Sequence, residues 1–350
     1  MAGSRLNNTP GHERELRGTV TRLTDLIRGQ SSQEAVSPAG GNSDSSREPT
    51  DLPLPSSYVP SASTPEIDWY QRASHELHGI KHAVQAKQSW TVDELVRVAS
   101  GIVASLGVND TLIQTVLQRG AGDYLVNNAV NVAIVSVKIA DALRYETAQR
   151  EQVALAGLLH DLGMFTLPDA LVYKAGTLTD GELRSMQEHP QHGVRVLKDI
   201  EAAYPWVGRV ILQEHERWDG TGYPNRLVGD EIDEVALVIG LADVFEAMMN
   251  SRPYRRGLSA HQAIRSLLVS GKTMFPHHLL KALIDQLSIY PLGTTVRLNT
   301  GETGVVFQLN RQYPLRPILH VLQAGHRAVS KMVDLRAETS LHIVEVVPVS

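Results

Sequence analysis

The 350-residue chain contains no cysteine. That excludes a disulfide framework and any thiolate metal site, so a bound metal must be held by His, Asp and Glu. It also lacks a strong charge of either sign. Its 33 Lys and Arg stand against 38 Asp and Glu, a formal net charge of −5. This argues against a DNA or general nucleic-acid binder, while local basic clusters could still grip a small phosphorylated ligand. The first residues are polar with no apolar leader-like run, and no segment reads as long and apolar enough to span a bilayer. The expected location is cytoplasmic. There is no internal repeat, and no receiver or sensory module is recognisable.

Hydrophobic residues make up 42 % of the chain, enough to fill the core of one large domain. Residues 1–29 read as an N-terminal arm in which Leu16, Val20, Leu23 and Ile27 share one side of a helix suited to dimerisation. Residues 30–65 are Ser, Pro, Gly and Asn with scattered charges, too poor in apolar groups to offset the entropy of ordering, and read as a disordered linker. Residues 66–120 are a helical lead-in, with Tyr70, Ala73, Leu77, Ile80 and Val84 at helical spacing. Thr91-Val92-Asp93-Glu94 reads as a capping box opening a helix through Ala104, and another helix is expected over Asp110–Arg119.

Over 121–288 the period predicts helices at Tyr124–Leu143, Thr147–His160, Thr179–Glu188, Gln191–Ile200, Val207–Trp218, Val235–Met249, Ala260–Ser270 and Pro276–Leu287. In 289–350 the pattern alternates instead, in Thr295–Leu298, Gly304–Phe307, Ile318–Leu322 and His342–Val346. That predicts a small antiparallel sheet of about four or five strands. The expected fold is mainly α, a helical bundle followed by a small antiparallel β appendage.

Acids and imidazoles interrupt the apolar helices. The run Val153–Leu159 ends in His160-Asp161, Asp243 follows the run Val235–Ala242, His189 looks like the close of a helix before Pro190, and Glu214-His215 end another. An ionised carboxylate among apolar side chains costs several kcal/mol unless a cation offsets it. Taken singly, Asp243 reads equally well as a buried helix cap or an arginine partner, and His189 as a helix-end residue. Taken together, a mixed His and Asp set suits two transition ions bridged by one carboxylate. The stretch Glu214–Pro224 then breaks into Gly-Thr-Gly-Tyr-Pro, which cannot continue a helix and must loop out.

His160-Asp161-Leu162-Gly163, Lys174–Thr179, Met186, His189, HERWDGTGYP at 215–224, Gly229, ADVFEA at 242–247 and Ser251–Arg255 follow one another in this order. From about Tyr124 to Phe275 the chain thereby resembles the HD-GYP family, bacterial metal-dependent phosphodiesterases that hydrolyse cyclic di-GMP. The resemblance implies an HD-domain helical bundle. It implies that His160, Asp161 and Asp243 hold one metal, while Asp161 bridges to a second held by His189 and His215, making His160 and Asp161 catalytic. Gly222, Tyr223 and Pro224 would face the dinucleotide, Arg252 and Arg255 would meet its phosphates or guanine edges, and Glu216, Arg217 and Asp219 would fix the loop. The β tail is similar to one that follows this domain in some members.

The pattern departs at four places. Asn128 stands where the family has a histidine ligand, Glu214 replaces one of its paired histidines, and Met164 replaces a lysine that would face phosphate. Tyr124 replaces an acid, which argues against a third metal. The resemblance therefore implies one or two divalent ions, Fe or Mn, with Mg, Zn and Ni as alternatives, and Asn128 and Glu214 as altered ligands. The expected function is a weakened phosphodiesterase giving pGpG, GMP or both. The alternative is a degenerate receptor that binds cyclic di-GMP or signalling proteins, itself a candidate homodimer. The intact GYP loop disfavours a general HD-superfamily nucleotide phosphohydrolase.

Overall fold

The computed structural model describes residues 68–117, 122–200, 202–249, 257–288, 290–310, 312–313, 315–322 and 329–347. The expected arm and linker lie outside the described residues, as do Arg252 and Arg255. The helices, in chain order, are α1 (Trp69–Gln85), α2 (Asp93–Val108), α3 (Thr111–Leu117), α4 (Tyr124–Ala142), α5 (Thr147–Leu159), α6 (Asp169–Val172), α7 (Asp180–Gln187), α8 (His189–Val196), α9 (Pro205–Gln213), α10 (Glu234–Met249), α11 (Ala260–Ser270) and α12 (His277–Leu287).

Helix α4 is the axis of the bundle. Leu125, Val126, Val130, Ile134 and Val137 are buried, and so are Asn128, Asn131, Ser136 and Lys138, so the helix is enclosed on nearly every side. By length and composition it could cross a membrane, which the sequence reading missed, yet 83 % of that span is buried inside the protein. Its N-terminus is capped by Asp123, whose carboxylate accepts from Leu125 N at 3.0 Å. Helices α1, α5, α10 and α12 pack around it, α1 contributing Ala73, Leu77 and Ile80.

Several local expectations change. The capping box at Thr91 does not form: α2 is preceded by Val92 without a side-chain cap, because Glu94 pairs with Arg72 and Arg97 instead. Rather than closing a helix, His189 opens α8, with Pro190 in the first turn where a missing N–H costs nothing. Helix α9 stops at Gln213, not Trp218. Beyond it the backbone turns away, and Trp218 N donates to Met274 O at 2.9 Å.

The sheet comprises β1 (Thr295–Leu298), β2 (Thr303–Gln308), β3 (Ile318–Leu322), β4 (Val329–Asp334) and β5 (Ile343–Val346), antiparallel in the order β4-β3-β2-β1-β5. One face buries Val296, Leu298, Val306, Leu319, Val321 and Val333 in a small core separate from that of the helices. Strand β4 is the one the sequence did not single out.

Candidate metal centre

The candidate donors sit at the ends of elements. His160 is the C-cap of α5 and Asp161 follows it, His189 is the first residue of α8, Glu214 is the C-cap of α9 with His215 next, and Asp243 lies within α10. Two close backbone approaches bring them together. A Cβ on Gly163 would lie 1.9 Å from the His189 carbonyl oxygen, so only glycine lets the segment after Asp161 lie against α8. A Cβ on Gly240 would lie 2.2 Å from the Glu214 carbonyl oxygen, so α10 reaches the end of α9 by the same means.

His189 Nε2 is 3.2 Å from Asp161 Oδ1, 3.6 Å from Glu214 Oε1 and 3.0 Å from His215 Nε2. His215 Nε2 is 2.7 Å from Glu214 Oε1. Asp161, His189, Glu214 and His215 thus offer four ligand atoms within 4.8 Å of one another. On the other side of Asp161, His160 Nε2 is 3.5 Å from Asp161 Oδ2 and 4.0 Å from Asp243 Oδ1. Asp161 stands between the two groups.

These atoms fit a cation. Nδ1 of His160 contacts Gly157 O, and Nδ1 of His189 contacts Met186 O, each at 2.8 Å. A carbonyl only accepts, so the proton of each neutral ring lies on Nδ1 and the Nε2 lone pair is left for a metal. His160 Nε2 and both Glu214 carboxylate oxygens are buried without a hydrogen bond of good geometry. His215 Nδ1 likewise has none.

Burial works against a charge on His160, but the carboxylates of Asp161, Glu214 and Asp243 outweigh it and pull its pKa up to about 9. His189 is buried too, and Glu214 and Asp161 raise it. For Glu214, burial favours the neutral acid, yet His215 and His189 hold it below the usual carboxylate range. Without a metal, a proton on His160 answers the charge of the acids around it. A divalent ion would replace that proton.

Asn128 is placed behind these donors. Its Nδ2 donates to Asp243 Oδ1 at 3.1 Å and to Glu246 Oε2 at 2.8 Å, while its Oδ1 has no partner. Glu246, fully buried, also accepts from Asn131 Nδ2 at 3.0 Å, and Asn131 Oδ1 accepts from Tyr70 OH at 3.0 Å. Burial first, then Glu246, pushes Tyr70 up to about 12. Sequence reasoning missed Glu246, although it lies one turn after Asp243 in the same apolar helix.

The loop after His215 is tied to its own stem. The buried Glu216 carboxylate accepts from Asn225 N at 2.6 Å and Leu227 N at 3.1 Å, and Asp219 accepts from Thr221. Arg217, enclosed beneath Phe275, donates to the Glu214 and Glu216 carbonyls. Gly222 is buried against this stem, where a Cβ would lie 2.4 Å from Glu216 Cα, so it packs the loop and does not line the cleft. The Tyr223 ring stacks on His215, with centroids 4.6 Å apart and planes 16° from parallel. Pro224 is half-buried beside it.

A cleft opens over the donors Asp161, His189, His215 and Asp243, walled by Tyr223, Met164, Tyr124, Val172 and Lys174. Lys174 is its only Lys or Arg among the described residues, and it pairs with Glu182 at 2.7 Å. A wider groove lined by Trp90, Phe165 and Arg195 contains none of the donors.

Residues 116–275 match the family described as the HD domain, and residues 295–349 match the KOW domain associated with HD domain. The chain is therefore an HD-domain protein with a KOW appendage. Within and around the matched residues stand, in order, the motifs on which the sequence resembles the HD-GYP branch of that family. It is 33 % identical over 229 residues to the cyclic di-GMP phosphodiesterase PA4108 of Pseudomonas aeruginosa, covering 65 % of this chain and 55 % of that protein. It is 33 % identical over 147 residues to the cyclic di-GMP phosphodiesterase response regulator RpfG of Xanthomonas campestris, covering 42 % of this chain and 39 % of that one. The matches thus span about half or less of these relatives. Among solved structures the fold is similar to Bd1817, an HDG"Y"P protein from Bdellovibrio bacteriovorus, with a TM-score of 0.52, 19 % identity and coverage of 64 % of this chain and 74 % of that one.

Proposed function

We propose that the protein is a metal-dependent phosphodiesterase that hydrolyses cyclic di-GMP to pGpG, GMP or both, at a rate lowered by its replaced donors. The observation that carries this reading is the convergence of His189, Glu214 and His215 on Asp161 at the base of a cleft, with His160 Nε2 and both Glu214 carboxylate oxygens buried and without a hydrogen-bond partner. Two relatives at 33 % identity are named cyclic di-GMP phosphodiesterases. A bound divalent ion would supply Lewis-acid polarisation of the phosphoryl oxygen and lower the pKa of the attacking water.

Asp161, His189, Glu214 and His215 form the tighter donor set and would hold the first ion, Fe or Mn by their mixed nitrogen and oxygen chemistry. His160 and Asp243 form the looser set for a second ion, since the amide nitrogen of Asn128 faces Asp243 there. Tyr223 shields one side of the site and offers a ring to a guanine, and Arg252 and Arg255 would meet phosphate. Met164 gives the cleft an apolar patch where a cation would help. Losing that cation and one imidazole, at about 1–2 kcal/mol each, slows turnover by about 10²-fold. A cytoplasmic setting and a homodimeric or partner-bound state belong to the same proposal.

The second reading is a receptor that binds the dinucleotide without turnover, favoured by the turned amide of Asn128 and by Met164. Product analysis by chromatography, with the protein loaded with Mn²⁺ or Fe²⁺, separates the two. Asp161→Ala removes both metal and turnover if the first reading holds. Tight binding with no product under any metal leaves the receptor.

A further inference from the structure

Helix α1 lies outside the residues that match the HD domain, yet it reaches chain neighbours of the cleft walls. Lys81, a residue only 8 % exposed, places Nζ 2.5 Å from Asp123 Oδ2 and 2.9 Å from Tyr173 OH. Tyr173 OH in turn donates to Asp123 Oδ1 at 3.0 Å. Three elements meet in this triad: α1, the N-cap of α4, and the residue following α6. Each wall residue of interest is a direct chain neighbour of it. Tyr124 follows Asp123, while Val172 and Lys174 flank Tyr173.

The segment after Tyr173 is held at its far side by Glu182, which takes Lys174 Nζ at 2.7 and 2.8 Å and Thr179 N at 2.7 Å. At its near side the contacts are those of Tyr173. Burial alone would favour a neutral lysine, but Asp123 and Tyr173 raise the Lys81 pKa, and Lys81 holds Asp123 below the usual carboxylate range. The pair is therefore ionised at neutral pH, and a charge-assisted contact of this kind, removed from most solvent, is stiff.

We infer that Lys81 is a positioning residue for the dinucleotide cleft, setting the Val172–Lys174 wall and the Tyr124 wall from outside the HD domain. It rests on the phosphodiesterase reading for its ligand and on the triad alone for its geometry. It touches neither the metal donors nor the reacting atoms, so it acts on substrate affinity.

The full chain loaded with Mn²⁺ tests this with Lys81→Met, Lys81→Arg and Tyr173→Phe. Lys81→Met is expected to raise KM for cyclic di-GMP about 10-fold, with kcat within about 2-fold of the parent. Manganese per chain stays unchanged, and Lys81→Arg restores most of the affinity. Tyr173→Phe keeps the Lys81–Asp123 pair and is expected to raise KM by itself. Amide exchange at 171–178 should quicken in Lys81→Met. An unchanged KM in both Lys81→Met and Tyr173→Phe overturns the inference, as does a fall in kcat that tracks loss of manganese. If the parent neither binds nor hydrolyses cyclic di-GMP, the function proposed above fails. The exchange measurement then decides alone: unchanged exchange at 171–178 overturns the role of Lys81, and faster exchange upholds it.

Discussion

Replacing Gly163 by alanine probes how the donors are brought together. The added Cβ would lie 1.9 Å from His189 O, 2.5 Å from Gly193 N and 2.9 Å from His189 C, all backbone atoms that cannot rotate aside. Real Cβ contacts essentially never fall below 3.0 Å. The segment after Asp161 and the start of α8 must therefore separate by at least 3.0 − 1.9 = 1.1 Å. Overpacking of this kind costs about 1–3 kcal/mol, and an unyielding backbone puts it near the upper end. For a domain of this size that lowers the melting temperature by roughly 5–10 °C. His189 moves away from Asp161 by a similar distance, whereas metal–ligand bonds tolerate only about 0.2 Å. Metal affinity should fall more than about 10-fold, a loss of more than roughly 1.4 kcal/mol. Gly79 in α1 is the control, since a Cβ there meets nothing within 4 Å. Gly79→Ala should stabilise by about 0.5–1 kcal/mol. Thermal unfolding and metal content per chain read both variants. If Gly163→Ala melts and binds manganese like the parent, the close approach does not set the donor geometry.

Two further outcomes follow from the site. In the metal-free protein His160 is raised from 6.5 to about 9, so its contribution to stability is complete below its ordinary value and disappears as pH climbs through about 9. Glu214, held under its usual 4.5, acts in the opposite direction and loses its contribution in acid. A divalent ion takes the place of the His160 proton, so Mn²⁺ should raise the melting temperature more at about pH 8.5 than at about pH 6. An equal or larger rise at the lower pH would contradict this assignment. Separately, Glu216→Ala strips acceptors from Asn225 N and Leu227 N and should cost about 1–3 kcal/mol. Glu216→Gln, which keeps one acceptor, should lose about half as much. Amide exchange at Asn225 and Leu227 reports it, and unchanged exchange counts against the role given to Glu216.

The helical period over Tyr124–Leu143 was legible, and the alternation after Tyr290 was equally plain, but the burial of Asn128, Asn131 and Lys138 along with the apolar residues of α4 was not. The His and Asp residues stood out as polar groups in apolar surroundings, and the structure gathers them. What local patterning could not show was set by distant partners. Glu94 looked like half of a capping box until Arg72 and Arg97 claimed it. The residues Glu214 to Trp218 have helical composition, but Glu216 and Trp218 are bound to chain far ahead in sequence. Lys81 resembles any solvated lysine on an amphipathic helix, and nothing in its neighbourhood announces Asp123 or Tyr173. Asn128 read as a weakened ligand. Its amide nitrogen instead spans two acids, one of which, Glu246, had been given no role of its own.

That amide also bears on how α4 and α10 settle against one another. Apolar surfaces slide at little cost, and one helix can slip past another while keeping its oily contacts. Here Asn128 and Asn131 each meet Glu246, and Asn128 also meets Asp243. Moving either helix by a single residue would strand two carboxylates among aliphatic side chains. The polar cluster thus favours the one alignment of α4 and α10 in which these amides and acids meet.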